Sequence, residues 1–250
     1  MSAAALLSTL VVVAGQSNAV GHRLGPGDLP SGARPDPMVQ IWRDGRFQTF
    51  APGANTGGPN SPQAWGPEVE FVRRWRADHP DERLYLVKVA KGSTGVVSDP
   101  AAWDWSPASK GEQYDLATRE VQAAKARLPD LDRVVVLWIG GESDVAPPAR
   151  AAAHERALTA LFARMKADWW IAGPTIIMAR IADEWDRSGP VRAAQTRLGG
   201  FDTDALPMQP DGAHFSAEGQ IRLGGAFYEA WKARASAAPA LASGGTPARR

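Results

Sequence analysis

The 250-residue chain has no cysteine. Disulfides, thiolate nucleophiles and cysteine-ligated metals are therefore excluded, and the redox compartment stays open. Histidine is scarce: His22, His79, His154 and His214 are the only four. No two of them have the spacing that puts two imidazoles on one helical face, so no metal site is expected. A dominant charge is lacking as well. The formal net charge is +1, with lysine and arginine scattered, so there is no electrostatic footprint for nucleic acid or an anionic membrane. Long apolar runs are missing too. Residues 3–14 form an apolar stretch of only about a dozen residues, too short to span a bilayer. It lacks the basic start of a signal peptide. Its Val11, Val12 and Val13 are β-branched, and a buried strand is the expected structure.

Strand and helix then alternate, with no internal repeat. "VQIWRDGRFQTF" reads as a hairpin turning at Asp44-Gly45, and residues 51–64 as a loop rich in Gly, Pro and Asn. "WGPEVEFVRRWRADH" reads as a helix, with Pro67 and Glu68 suited to its first turn. "RLYLVKVAKGST" is a strand ending near Gly92. Helices are expected over 114–128, 149–169, 191–198 and 216 to about 234, the last capped by Ser216. "RVVVLWIGGESD" and "PTIIMARIA" are further strands. One domain over residues 1–235 and a disordered tail over 236–250 follow from this pattern. Apolar strands separated by helices imply a parallel sheet covered on both faces, an α/β architecture. Ligands in such sheets bind beyond the carboxyl ends of the strands. Three strands end in polar, glycine-bearing clusters there: Gly15-Gln16-Ser17-Asn18, Lys91-Gly92-Ser93-Thr94 and Gly140-Gly141-Glu142-Ser143-Asp144.

A hydroxyl nucleophile needs a base within hydrogen-bonding reach, and the base needs a group that fixes its tautomer. "PDGAHFSAEGQ" offers Asp211 and His214 on one short loop. Neither that pair nor Ser17 is decisive alone, and Ser17 does not sit in a G-x-S-x-G elbow because residue 19 is alanine. "AKGST" lacks the upstream glycine and the residue order of a phosphate-binding loop. His154 is expected in surface or helix packing, His79 in a turn, and His22 in a loop near the serine. Trp42, Trp75, Trp138 and Trp231 fall on core patterns. Trp65, Trp103 and Trp105 lie in or beside loops and are candidate platforms for stacking a sugar ring.

Taken together, GQSN after the first strand, Gly92 after a middle strand, GGESD after the next and Asp211-x-x-His214 before the last helix resemble the SGNH hydrolases. "WGPE", "VAKGST", "LWIGGESD", "VRAAQ" and "LPMQPDGAHFSAEGQIRLG" resemble their sialate O-acetylesterase and acetylxylan esterase branch, carbohydrate esterase family six. The resemblance implies a flavodoxin-like three-layer α/β/α sandwich with about five parallel strands. It implies a serine esterase that removes short acyl groups, acetyl first among them, from carbohydrates without any cofactor or metal. Ser17 is then the nucleophile, His214 the general base and acid, and Asp211 its orienting partner. The backbone N–H groups of Ser17 and Gly92 are the oxyanion donors, and Gln16, Asn18 and Glu142 support the site. Gly140 departs from the pattern, because the related branch has glutamine there. Losing one oxyanion donor costs about a hundred- to a thousandfold in turnover. Asn18, Ser143, the Gly141 N–H or a water are the candidate replacements. Two other readings stay open: a carbohydrate-binding or structural module with weak chemistry, and an esterase or lipase acting on non-sugar esters. The expected partner is a small-molecule or glycan ester, with no nucleic acid and no membrane. The expected location is cytoplasmic, with an extracellular one left open.

Overall fold

The structure, a computed structural model, describes residues 8–58, 60–169, 175–186 and 189–237. The valine-rich opening run is strand β1 (Ser8–Gly15), followed by the single helical turn α1 (Ser17–Val20). The hairpin β2 (Asp36–Arg43) and β3 (Arg46–Phe50) comes next, then α2 (Glu68–Asp78) and β4 (Arg83–Lys88). Helix α3 (Gln113–Lys125), β5 (Arg133–Ile139), α4 (Pro148–Trp169) and β6 (Thr175–Ala179) continue the alternation. The short α5 (Asp183–Asp186), α6 (Pro190–Arg197) and α7 (Ala217–Ala237) complete it.

The strands form one sheet in the order β3-β2-β4-β1-β5-β6. All pairings are parallel except that of β2 with β3. The five parallel strands are those expected, and β3 is an antiparallel edge strand added by the hairpin. Asp44 and Gly45 both take positive φ, 52° and 75°, the geometry of a two-residue turn that follows strand twist.

Side chains alternate between faces of a strand, and β1 serves two cores. Val11 and Val13 pack with Phe71 and Trp75 of α2 and with Leu223, Phe227 and Trp231 of α7. Leu10, Val12 and Ala14 pack with Ala117 and Val121 of α3 and with Leu158, Leu161 and Met165 of α4. A strand buried on both sides has no polar face, which is why it reads as an unbroken apolar run.

Three boundaries differ from expectation. Strand β4 stops at Lys88 rather than near Gly92. The chain still runs on beside β1, with the Val89 N–H donating to the Val13 carbonyl and the Lys91 N–H to the Gly15 carbonyl. Helix α7 continues to Ala237, into the expected tail; residues 238–250 of that tail lie outside the described residues. Helix α3 stops at Lys125, short of 128. Among the described residues no helix is long and apolar enough to cross a membrane.

Candidate active site

Strands β4, β1 and β5 are neighbours, so the three glycine-bearing clusters meet at one rim of the sheet. Gly15 has φ +133°, and a Cβ there would fall 1.7 Å from the Ile139 carbonyl oxygen. Only glycine lets β1 end this close to β5. The Gln16 N–H donates to that same carbonyl at 2.8 Å. Ser17 then opens α1, and Gly21, in the left-handed region, closes it with an N–H to the Ser17 carbonyl. Lys88 holds this turn from beneath. Its buried Nζ donates to the Val20 carbonyl at 2.9 Å and to Glu68 Oε1 at 2.7 Å.

Ser17, His214 and Asp211 lie in register. His214 Nε2 is 3.1 Å from Ser17 Oγ, and His214 Nδ1 is 2.9 Å from Asp211 Oδ2. Asp211 Oδ1 accepts the N–H groups of Ala213 and His214. Arg23 Nη1 donates to Oδ2 at 3.0 Å. The hydrogen bond from His214, reinforced by the Ala213 amide, holds the Asp211 carboxyl at about 2. It is therefore an anion across the working pH range and a fixed acceptor for Nδ1–H, which leaves Nε2 to face the hydroxyl. The His22 ring lies 4.5 Å from that of His214, tilted by 46°. Burial first, then the neighbouring His214 and Arg23, lowers the pKa of His22.

Asn18 joins the two ends of the chain. Its Nδ2 donates to Glu142 Oε1 at 3.0 Å and to the Ala213 carbonyl at 3.3 Å, while its Oδ1 accepts the Phe215 N–H at 3.0 Å. Gln209 adds bonds from Nε2 to the carbonyls of His22 and Phe215. Ser216 caps α7 as expected, accepting the Gly219 N–H at 3.1 Å. Glu142 is buried; burial raises its pKa against the opposing Asn18 hydrogen bond.

Among the described residues, neither the Ser17 nor the Gly92 amide has a protein acceptor. Both are free for a ligand oxygen. A Cβ on Gly92 would stand 3.7 Å from the Ser17 Cβ, so a side chain there would crowd Ser17. Gly141 corrects the expectation. Its N–H donates to buried Gln16 Oε1 at 2.9 Å and is not available to an oxyanion.

The tryptophans need a second correction. Trp65 and Trp105 are fully buried, their indole N–H groups bonded to the Gly25 carbonyl and Thr94 Oγ1. Apolar rings next to loops were drawn into the core because the loops fold back over the sheet. Trp103 is exposed at 44%, with Lys91 Nζ 4.7 Å over its ring. Trp185, which the sequence reading passed over, is 36% exposed. It lines a cleft of about 240 Å³ with Gln16, Ser17, His22, Gly92, Ser93, Glu142, Ser143 and His214. Its indole donates to the Ala213 carbonyl at 3.1 Å. A tryptophan between acidic residues just past a strand end was the available signal.

His154 is fully buried rather than at the surface. Its Nδ1 is 2.8 Å from Asp144 Oδ2, and Asp144 also accepts the N–H groups of Val96 and Val97. The last residue of GGESD thus ties the β5 rim to the loop that carries Gly92. Gln195 of "VRAAQ" does the same towards β6, donating to the Gly140 carbonyl and accepting the Ile181 N–H. Among the described residues no group of three or more His, Asp or Glu side chains is placed to hold a metal ion.

An α/β/α sandwich presenting a serine, a histidine and an aspartate in hydrogen-bonded series at the carboxyl rim of its central strands is a hydrolase of the SGNH type. The chain belongs to the carbohydrate esterase family described as sialic acid-specific acetylesterase, whose profile matches residues 8–233. It is thus a carboxylic ester hydrolase of the carbohydrate acetylesterase kind. No curated protein sequence matches it. Among solved structures, a protein from Arabidopsis thaliana is similar at a TM-score of 0.75 and 19% identity, covering 90% of this chain and 98% of that one. NanS is similar at 0.65 and 15%, covering 91% and 98%. A carbohydrate acetylesterase from Xanthomonas citri is similar at 0.64 and 13%; the match covers 92% of this chain and 57% of that one. At these identities the likeness is one of fold.

Proposed function

We propose that the chain removes O-acetyl groups from carbohydrates through an acyl-enzyme on Ser17. Ser17 Oγ attacks the ester carbonyl carbon as its proton passes to His214 Nε2. The carbonyl π-electrons move to oxygen, and this oxyanion is received by the N–H groups of Ser17 and Gly92. Collapse breaks the bond to the sugar oxygen, which leaves with the proton from His214. A water then gives a proton to the same nitrogen and attacks the acyl carbon; the second tetrahedral anion collapses, the bond to Ser17 Oγ breaks, and His214 returns that proton to Oγ as the acetate product leaves. Asp211 holds Nδ1–H throughout and stabilises the imidazolium.

The observation that carries this reading is the continuous series Ser17 Oγ to His214 Nε2 at 3.1 Å and His214 Nδ1 to Asp211 Oδ2 at 2.9 Å. The cleft of about 240 Å³ suits a short acyl group better than a long chain, whose pocket would fall in the larger range of ligand sites. Trp185 and Trp103 offer exposed ring faces for a pyranose. A glycan or small-molecule ester as partner, no nucleic acid and a cytoplasmic location belong to the same reading; the balanced charge of +1 supports the exclusion of nucleic acid. So does a single esterase domain over residues 1–235, since the described elements pack on one sheet. The carbohydrate-binding alternative draws on Gly140 and predicts an inert Ser17.

The deciding experiment compares the parent with Ser17→Ala on p-nitrophenyl acetate, acetylated sialic acid and acetylated xylan, alongside fluorophosphonate labelling. Turnover and labelling in the parent, both abolished in a folded Ser17→Ala, are expected. Unlabelled but glycan-binding parent protein would favour the binding module, and rates rising with acyl length would favour a lipase.

A further inference from the structure

Resting on that reading, we propose that the Ser143 hydroxyl is the third oxyanion donor, aimed into the cleft by Gln16. Gly140 has no side chain to offer, and Gly141 gives its N–H to Gln16 Oε1 at 2.9 Å. Asn18 is fully engaged, with Nδ2 on Glu142 and Ala213 and Oδ1 on Phe215. Ser143 differs from all three. It lines the cleft beside Ser17, Gly92 and His214, and its Oγ accepts a hydrogen bond from Gln16 Nε2 at 2.8 Å.

That bond fixes which way the hydroxyl works. Gln16 Oε1 faces the N–H groups of Gly141 and Ser143, so its amide cannot be reversed and Nε2 must be the donor to Ser143. A hydroxyl has one hydrogen and two lone pairs. With a lone pair taken by Gln16, the Ser143 hydrogen points elsewhere, and among the described residues no protein acceptor meets it. Accepting from an amide also polarises the O–H and makes it a better donor. Gln16 is buried and held at both ends of its amide, so the Ser143 hydroxyl is oriented before substrate arrives, which is what an oxyanion donor requires. Ser93 also lines the cleft, but it is exposed and no hydrogen bond among the described residues orients its hydroxyl.

The test measures kcat and KM of Ser143→Ala, Ser143→Thr and Ser143→Cys on p-nitrophenyl acetate, with the affinity of a small boronic acid that forms a tetrahedral anion on Ser17. Ser143→Ala is expected to lower kcat by ten- to a thousandfold with KM changed less than threefold, and to weaken boronate binding in parallel. Ser143→Thr, which keeps the hydroxyl, should recover most of the rate, while Ser143→Cys, of similar shape but a weak donor, should not. The pH profile of kcat/KM should keep its acid limb, since His214 is untouched. A Ser143→Ala or Ser143→Cys enzyme within threefold of the parent would overturn the proposal, as would a loss seen instead in Ser93→Ala. If Ser143→Ala does not fold, the Thr and Cys pair decides. A parent that neither turns over nor labels would sink the esterase reading instead, so the two failures are distinct.

Discussion

The protein holds two aspartate–histidine pairs of nearly equal length and opposite fate. Asp211 and His214 meet at 2.9 Å on a partly exposed loop, with a serine hydroxyl 3.1 Å from the far nitrogen. Asp144 and His154 meet at 2.8 Å with both side chains fully buried, and the far nitrogen, Nε2, has no partner among the described residues. The bond between carboxylate and imidazole is the same in each. Access and a hydroxyl in line are what suit the first pair to the proposed chemistry; without these, the other is a clamp. Asp144 joins the rim of β5 to Val96 and Val97, and so sets the path of the loop that presents Gly92.

Replacing one member of each pair breaks the comparison most sharply. His214→Ala should lower kcat on p-nitrophenyl acetate by about 10⁴-fold or more, as removal of a general base from such a series does, with little change in melting temperature. Asp144→Ala should act chiefly on stability, with a smaller loss of rate through the loop that presents Gly92. It strands two amides and a buried imidazole, a loss of about 3–5 kcal/mol, which calorimetry would register as a fall of roughly 6–20 °C for a domain of this size. A melting temperature within about 2 °C of the parent would show that the buried pair is not a clamp.

Acid tests the exposed pair in a different way. Asp211 has a pKa of about 2 in the folded protein, below the value of about 3.9 for an unfolded aspartate. Its contribution to stability is therefore complete above about pH 4 and is lost as pH falls towards about 2. The stability gap between parent and Asp211→Asn should shrink over that window; a gap unchanged between about pH 4 and about pH 2 would refute the assignment. The smallest expected effect is at His22. His22→Phe keeps a ring against His214 and should change kcat by less than about fivefold, whereas His22→Ala, which removes the tilted ring contact worth about 1 kcal/mol, should cost about fivefold more.

Much of this was written locally in the chain. The valine run, the Asp44-Gly45 turn and the Asp211-x-x-His214 spacing each depend on residues close in sequence, so their structures follow from local sterics and short hydrogen bonds. The tryptophans show where local reading stops. Trp65, Trp103 and Trp105 all sit in loop sequence, yet two are fully buried and one is exposed, because a loop's fate depends on what it folds against. The Asp144–His154 pair was illegible for the same reason: its two members lie ten residues apart and have no periodic signal.

The sequence by itself determined which groups could react and which elements would carry them: a hydroxyl at the end of an apolar strand, and an imidazole tethered to a carboxylate before a helix. Their convergence was decided only by the tertiary structure. Insertion of β4 beside β1 and the reach of Asn18 to Phe215 and Ala213 close a gap of nearly two hundred residues. Hydrogen bonds form between neighbours in space, and packing two cores against one sheet is what makes those neighbours.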